Sequence, residues 1–130
     1  MKLLKKDETI ITSANGAVRF AMERAINPTD WPQIIHLDEN NTPLPRNQGG
    51  GAGLIVVEKR AGDPTPTDND IKKAEATKMA CDQIDRRFVD YIILGTGCFY
   101  SFADERVKKI GDGGIVRFIP KSISLHKRVR

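Results

Sequence analysis

At 130 residues, 39% hydrophobic and 29% charged, the chain has the length and composition of one globular domain, and no apolar run reaches bilayer length. Two cysteines, Cys81 and Cys98, are too few for the disulfide framework of a small secreted domain, and "MKLLKKDETII" lacks the apolar stretch of a secretion signal, so the chain is expected to be cytoplasmic on synthesis with free thiols. The net charge of +4 is concentrated at one end: from Ile115 onward there are five basic residues and no acid, which leaves the rest close to neutral.

In chain order, residues 1–7 read as an N-terminal arm and 8–13, "ETIITS", as a short strand. "SANGAVRFAMERAIN" follows as a helix, because Val18, Ala21, Met22, Ala25 and Ile26 recur at helical spacing. Ser13 or Asn15 caps its start, and Asn27-Pro28 stops it. Ile34, Ile35 and Leu37 suggest a short strand. Residues 38–53, rich in Gly, Pro, Asp and Asn, form a loop at the upper end of what compact domains contain.

"GLIVVEKRAG" is the clearest strand, apolar from Leu54 to Val57 and so expected to be central and buried on both faces. After the turn "GDPTPTDND", Thr67 or Asp68 caps a helix expected to run from Asp68 to Leu94. Its stripe is Ile71, Ala74, Cys81, Ile84, Phe88, Tyr91 and Ile92, and Gly95 ends it in the left-handed conformation. "YIIL" has an alternative reading as a short strand. "CFYSFADERVKKIG" fits a short helix or a loop, "GDGG" a hairpin turn, and "IVRFIPKSISLHKRV" a strand divided by Pro120. Together these elements predict a single α+β domain: a small mixed or antiparallel sheet against one long and one shorter helix, with extended arms.

Motifs of known chemistry are absent. The glycines of "NQGGGAG" precede a strand rather than opening a helix, and no GK[ST] follows them, which excludes a phosphate-binding loop. Cys98 has no base close in sequence, since the two histidines, His36 and His126, are remote. His36 and Asp38 are too few for a zinc site. No catalytic residue, cofactor or metal is expected, and the chain does not read as an enzyme.

The glycine-rich loop and the basic end are instead the candidate contact regions. Arg46, Asn47, Gly49, Gly50 and Gly51 form an arm that a neighbouring subunit would order, and Lys121, His126, Lys127, Arg128 and Arg130 form a basic tail from 121 to 130. The general organisation resembles small bacteriophage head–tail or tail-completion proteins. The arms imply a structural subunit of a larger protein assembly, with other protein subunits as partners in a homo-oligomer or multi-protein particle, and the resemblance extends this to a phage virion as one such particle. The alternative is a small nucleic-acid-binding accessory protein that grips phosphates with the basic tail.

Overall fold

The computed structural model describes residues 8–45 and 50–118. A five-stranded mixed sheet carries a helix on each face, so the domain is α+β with three layers. The strands are β1 (Glu8–Ile11), β2 (Gln33–Leu37), β3 (Gly53–Lys59), β4 (Arg87–Leu94), β5 (Cys98–Ser101), β6 (Arg106–Lys109) and β7 (Ile115–Phe118); the helices are α1 (Ala14–Arg24) and α2 (Asp68–Gln83). The main sheet has the order β2-β3-β4-β5-β6, with β3 and β4 parallel and the other pairs antiparallel. β1 and β7 form a separate antiparallel ribbon. Among the described residues no helix is long and apolar enough to cross a membrane.

The continuous apolar run of β3 is explained by the two layers it separates. Ile55 and Val57 face α1 and join Ile35, Leu37, Ile92, Leu94 and Phe99 against Ala17, Val18 and Ala21. Leu54 and Val56 face α2 and join Tyr91 and Ile93 against Ala74 and Cys81. A strand with helices on both faces has no polar side to alternate with. The expected central strand is therefore present, with β2 and β4 as its neighbours.

α1 starts where the sequence placed it. Ser13 is its N-cap, its Oγ accepting the amide of Gly16 at 3.3 Å. Val18 and Ala21 are buried as expected, but Met22 is 46% exposed and Ile26 82% exposed, because the helix stops at Arg24 and the chain leaves in an extended conformation at Ala25. Asn15 does not cap the helix. Its side chain donates to the carbonyls of Gly111 and Gly113 at 2.9 and 3.0 Å and accepts the amide of Gly111. The "GDGG" segment is thus no hairpin turn. It joins β6 to β7, which belong to different sheets, and it docks on the start of α1.

The largest correction concerns the long helix. α2 ends at Gln83, Asp85 takes a positive φ of 60°, and the chain turns back as β4. Phe88, Tyr91 and Ile92 lie on a strand, not on a helical stripe, and Ile84, expected to be core, is 57% exposed. "RFVDYIIL" has apolar residues at spacings that suit either period. Pairing in parallel with β3, with one bulge at Val89, decides for the strand, because both faces of its Asp90–Leu94 stretch are then buried. Gly95 caps no helix. It turns β4 into β5, its amide donating to the carbonyl of Cys98 at 2.8 Å, so "CFYS" and "RVKK" form strands rather than a helix.

Gly95 is also a close approach. A Cβ there would lie 2.4 Å from the carbonyl oxygen of Gly62 and 2.9 Å from the Pro64 ring. Gly95→Ala is therefore expected to cost about 1–3 kcal/mol in a urea unfolding experiment, as overpacking against backbone does.

Candidate functional site

The charged and polar residues of "LIVVEKRAGDPTPTDND" come together at the carboxyl end of β3, where the β3–α2–β4 crossover begins. Open sheets place ligand sites at such ends. Glu58 follows Leu54 and Val56 on the α2-facing side of the strand, and Arg60 lies just beyond its last residue. The following turn is locked to the β4–β5 connection: Gly62 and Thr96 exchange hydrogen bonds, and Arg60 N donates to the carbonyl of Leu94 at 2.9 Å. Thr67 and Asp70 then form a capping box at the start of α2, with Thr67 N donating to Asp70 Oδ2 at 2.7 Å and Asp70 N donating to Thr67 Oγ1 at 3.2 Å.

The cap occupies one oxygen of Asp70. The other, Oδ1, accepts from Arg60 Nη2 at 2.7 Å, and the same nitrogen donates to Glu58 Oε2 at 2.6 Å. One guanidinium thus bridges two carboxylates. Tyr91 Oη donates to Glu58 Oε1 at 2.6 Å, and Lys73 Nζ lies 3.5 Å from Glu58 and 3.9 Å from Asp70. The carboxylates are well covered, with side-chain exposures of 4% for Asp70 and 14% for Glu58.

The electrostatics follow from these contacts. The hydrogen bond from Arg60 holds the Asp70 carboxyl well below the usual carboxylate range, against burial and with help from Thr67. Burial pushes Glu58 up, but the bonds from Tyr91 and Arg60 and the charges of Lys73 and Arg60 outweigh it, so its net shift is downward. Burial and then the Glu58 bond push the Tyr91 phenol up, so it stays a donor at neutral pH. Two carboxylates, one guanidinium and one ammonium sum to zero. The cluster is self-neutralised.

Beside it runs a groove of about 700 Å³ to which Glu58, Lys59 and Lys73 contribute from the sheet and α2, and Met22, Ile26, Trp31 and Pro32 from α1 and the segment after it. Lys59 Nζ sits 5.6 Å from the centre of the Trp31 ring.

A second polar group is buried nearby in sequence but serves packing. Asp90, 5% exposed, accepts from Tyr91 N, Ala103 N and Ser101 Oγ at 2.7, 3.0 and 2.5 Å. Burial, ahead of those bonds, pushes its carboxyl up. It ties β4, β5 and the β5–β6 turn together.

The sequence-based candidates lie elsewhere. Gly50 and Gly51 sit before β3, at the opposite end of the strand from the cluster. Gly51, at φ 95°, packs closely on its own domain: a Cβ there would meet the Leu37 carbonyl oxygen at 2.6 Å. Arg46, Asn47, Gly49, Lys121, His126, Lys127, Arg128 and Arg130 lie outside the described residues. Asp38 spends its Oδ1 on the amides of Asn40 and Thr42, and Cys98 Sγ donates to the Thr96 carbonyl. Sequence reasoning missed Glu58, Arg60, Asp70 and Tyr91. The available signal was a charged pair closing an apolar strand, followed by a capped helix.

Comparison with known proteins falls on this same region. A family model described as the RadC-like JAB domain matches residues 48–107, a little under half of the chain, from just before β3 into β6. A UPF0758 protein of Actinobacillus pleuropneumoniae is 36% identical over 58 residues, covering 44% of this chain and 26% of that protein. One from Haemophilus ducreyi is 38% identical over 56 residues, covering 42% of this chain and 25% of the relative. A third, from Streptococcus thermophilus, is 26% identical over 126 residues, covering 79% of this chain and 55% of the relative. The matches thus span from about a quarter to about half of the relatives' own length. No solved structure matches.

These matches correct the functional expectation. The chain is similar to RadC-like JAB domains and UPF0758 proteins, not to structural or virion subunits, and the phage-particle reading is set aside.

Proposed function

We propose that the chain is a JAB-like domain that binds a polypeptide at the carboxyl end of β3 without cleaving it through a bound metal. JAB domains are often metalloproteases, so the donor set here is the test of the reading. It does not fit a metal. The two carboxylates at the strand end are already bridged by the Arg60 guanidinium, and Lys73 adds a second positive charge within 4 Å. A divalent cation between Glu58 and Asp70 would have to displace one fixed cation and face another. Among the described residues no group of three or more His, Cys, Asp or Glu is placed to hold a metal ion. The bridging Arg60 is the observation that carries the metal-free part of the proposal; the polypeptide part rests on the likeness to JAB domains and on the groove beside the cluster.

Calorimetric titration of the purified protein with zinc and manganese is the direct test. The expected result is no binding that depends on Asp70, so wild type and Asp70→Asn should give the same trace. Stoichiometric zinc binding that Asp70→Asn removes, or peptide hydrolysis that a chelator stops, overturns the reading.

A further inference from the structure

We infer that the groove beside the cluster accepts an extended polypeptide segment that combines apolar with acidic side chains. The inference rests on the polypeptide-binding reading above and names the class of segment. The walls supply the apolar part: Met22 and Ile26 are 46% and 82% exposed at the groove, next to Trp31 and Pro32. Ile26 is the most exposed of the large hydrophobic side chains described, and such residues gathered along one groove mark a contact surface.

The charge balance supplies the acidic part. Glu58 reaches the groove but is spent on Arg60, Tyr91 and Lys73. Lys73 is in turn engaged with Glu58 and Asp70. Asp30, in the turn between α1 and β2, does not line the groove; its Oδ2 accepts from the amides of Ile26 and Asn27. Lys59 is the remaining charge. Among the described residues it has no carboxylate within ion-pair distance, and its ammonium rests over the Trp31 ring. The surplus charge facing the groove is therefore positive, and a carboxylate on the incoming segment complements it while an adjacent apolar side chain covers Ile26 and Met22. A basic segment would instead set its charge against Lys59.

Trp31 is the only tryptophan in the chain, so its emission reports the groove directly. The probe is an N-acetylated peptide of alternating leucine and glutamate, titrated into the full chain. The controls are an alternating leucine–lysine peptide, an all-glutamate peptide and a single-stranded oligonucleotide. A saturable change in Trp31 emission with the leucine–glutamate peptide, weaker by about tenfold or more with each control, is the expected result. Lys59→Glu and Ile26→Asp should each weaken that binding by about tenfold. Both side chains are exposed, so the variants should melt as the wild type does.

Equal or tighter binding of the leucine–lysine peptide overturns the inference. So does preference for the all-glutamate peptide or the oligonucleotide, an affinity unchanged by Lys59→Glu, or no saturable response at all. The metal titration is read separately: Asp70-dependent zinc binding defeats the metal-free reading, whereas a wrong peptide preference defeats only the assignment of the segment.

Discussion

Arg60→Ala is expected to destabilise the domain by about 3 kcal/mol at pH 7, the low end for removing one partner of a buried ion pair. The low end applies because Arg60 itself is 27% exposed and water can reach the vacated space. What remains is the cost. Asp70, 4% exposed, and Glu58, 14% exposed, would face each other with only Lys73 between them and solvent. Arg60→Lys keeps a charge but loses the planar fork, and should lie between the two.

The pH dependence separates this cause from simple loss of packing. In the wild type both carboxyls are held below their ordinary values: Asp70 first by the Arg60 bond, and Glu58 by Tyr91, Arg60 and Lys73 acting against burial. A folded-state pKa below the unfolded one stabilises the fold fully above the unfolded value, about 4, and that stabilisation is lost progressively as pH falls from there through the lower folded value. The gap between wild type and Arg60→Ala should therefore be widest at pH 7, begin to narrow below about pH 4 and keep narrowing as pH falls further. Urea unfolding at about pH 7 and about pH 2.5 measures it. A gap that stays constant with pH would mean that Arg60 contributes through its aliphatic stem alone.

How much of this was legible in the sequence depends on which distances the sequence encodes. The α1 cap at Ser13, the buried Val18 and Ala21, the two-faced β3 and the start of α2 at Thr67 are all local patterns, and each stands as read. The end of α2 is not local. Ile84, Phe88, Tyr91 and Ile92 satisfy helical spacing, and only the ladder to β3, a partner some thirty positions away, turns the last three into a strand. That single misreading hides the site. With residues 87–94 on a helix there is no β3–α2–β4 crossover, no carboxyl-end crevice, and no route by which Tyr91 reaches Glu58. Arg60 was invisible for a related reason: its partners, Glu58 two residues before and Asp70 ten residues after, meet it only once the "GDPTPT" turn is folded against Thr96.

The other large effect tests that strand directly. Phe99→Ala is expected to cost about 3–5 kcal/mol, the range for emptying a fully buried aromatic position. Phe99 is 0% exposed, the largest of the fully buried side chains among the described residues, and it packs among Ile35, Leu37, Ile92 and Leu94 under α1. Its place depends on β4 being a strand, because Phe99 is paired with Leu94 across the β4–β5 hairpin. Phe88, near the start of β4, only flanks the cluster under α2 and is half-buried, so Phe88→Ala should cost roughly 1–2 kcal/mol. Ile84→Ala, at a 57% exposed position, should change stability by less than about 0.5 kcal/mol. A continuous helix through Leu94 predicts the opposite order: Ile84 and Phe88 would share its buried stripe and dominate, and Phe99 would lie in a loop beyond it. Three unfolding curves therefore distinguish the two folds. Phe88→Ala or Ile84→Ala exceeding Phe99→Ala would remove β4 from the sheet, and with it the parallel pair that places Tyr91 beside Glu58.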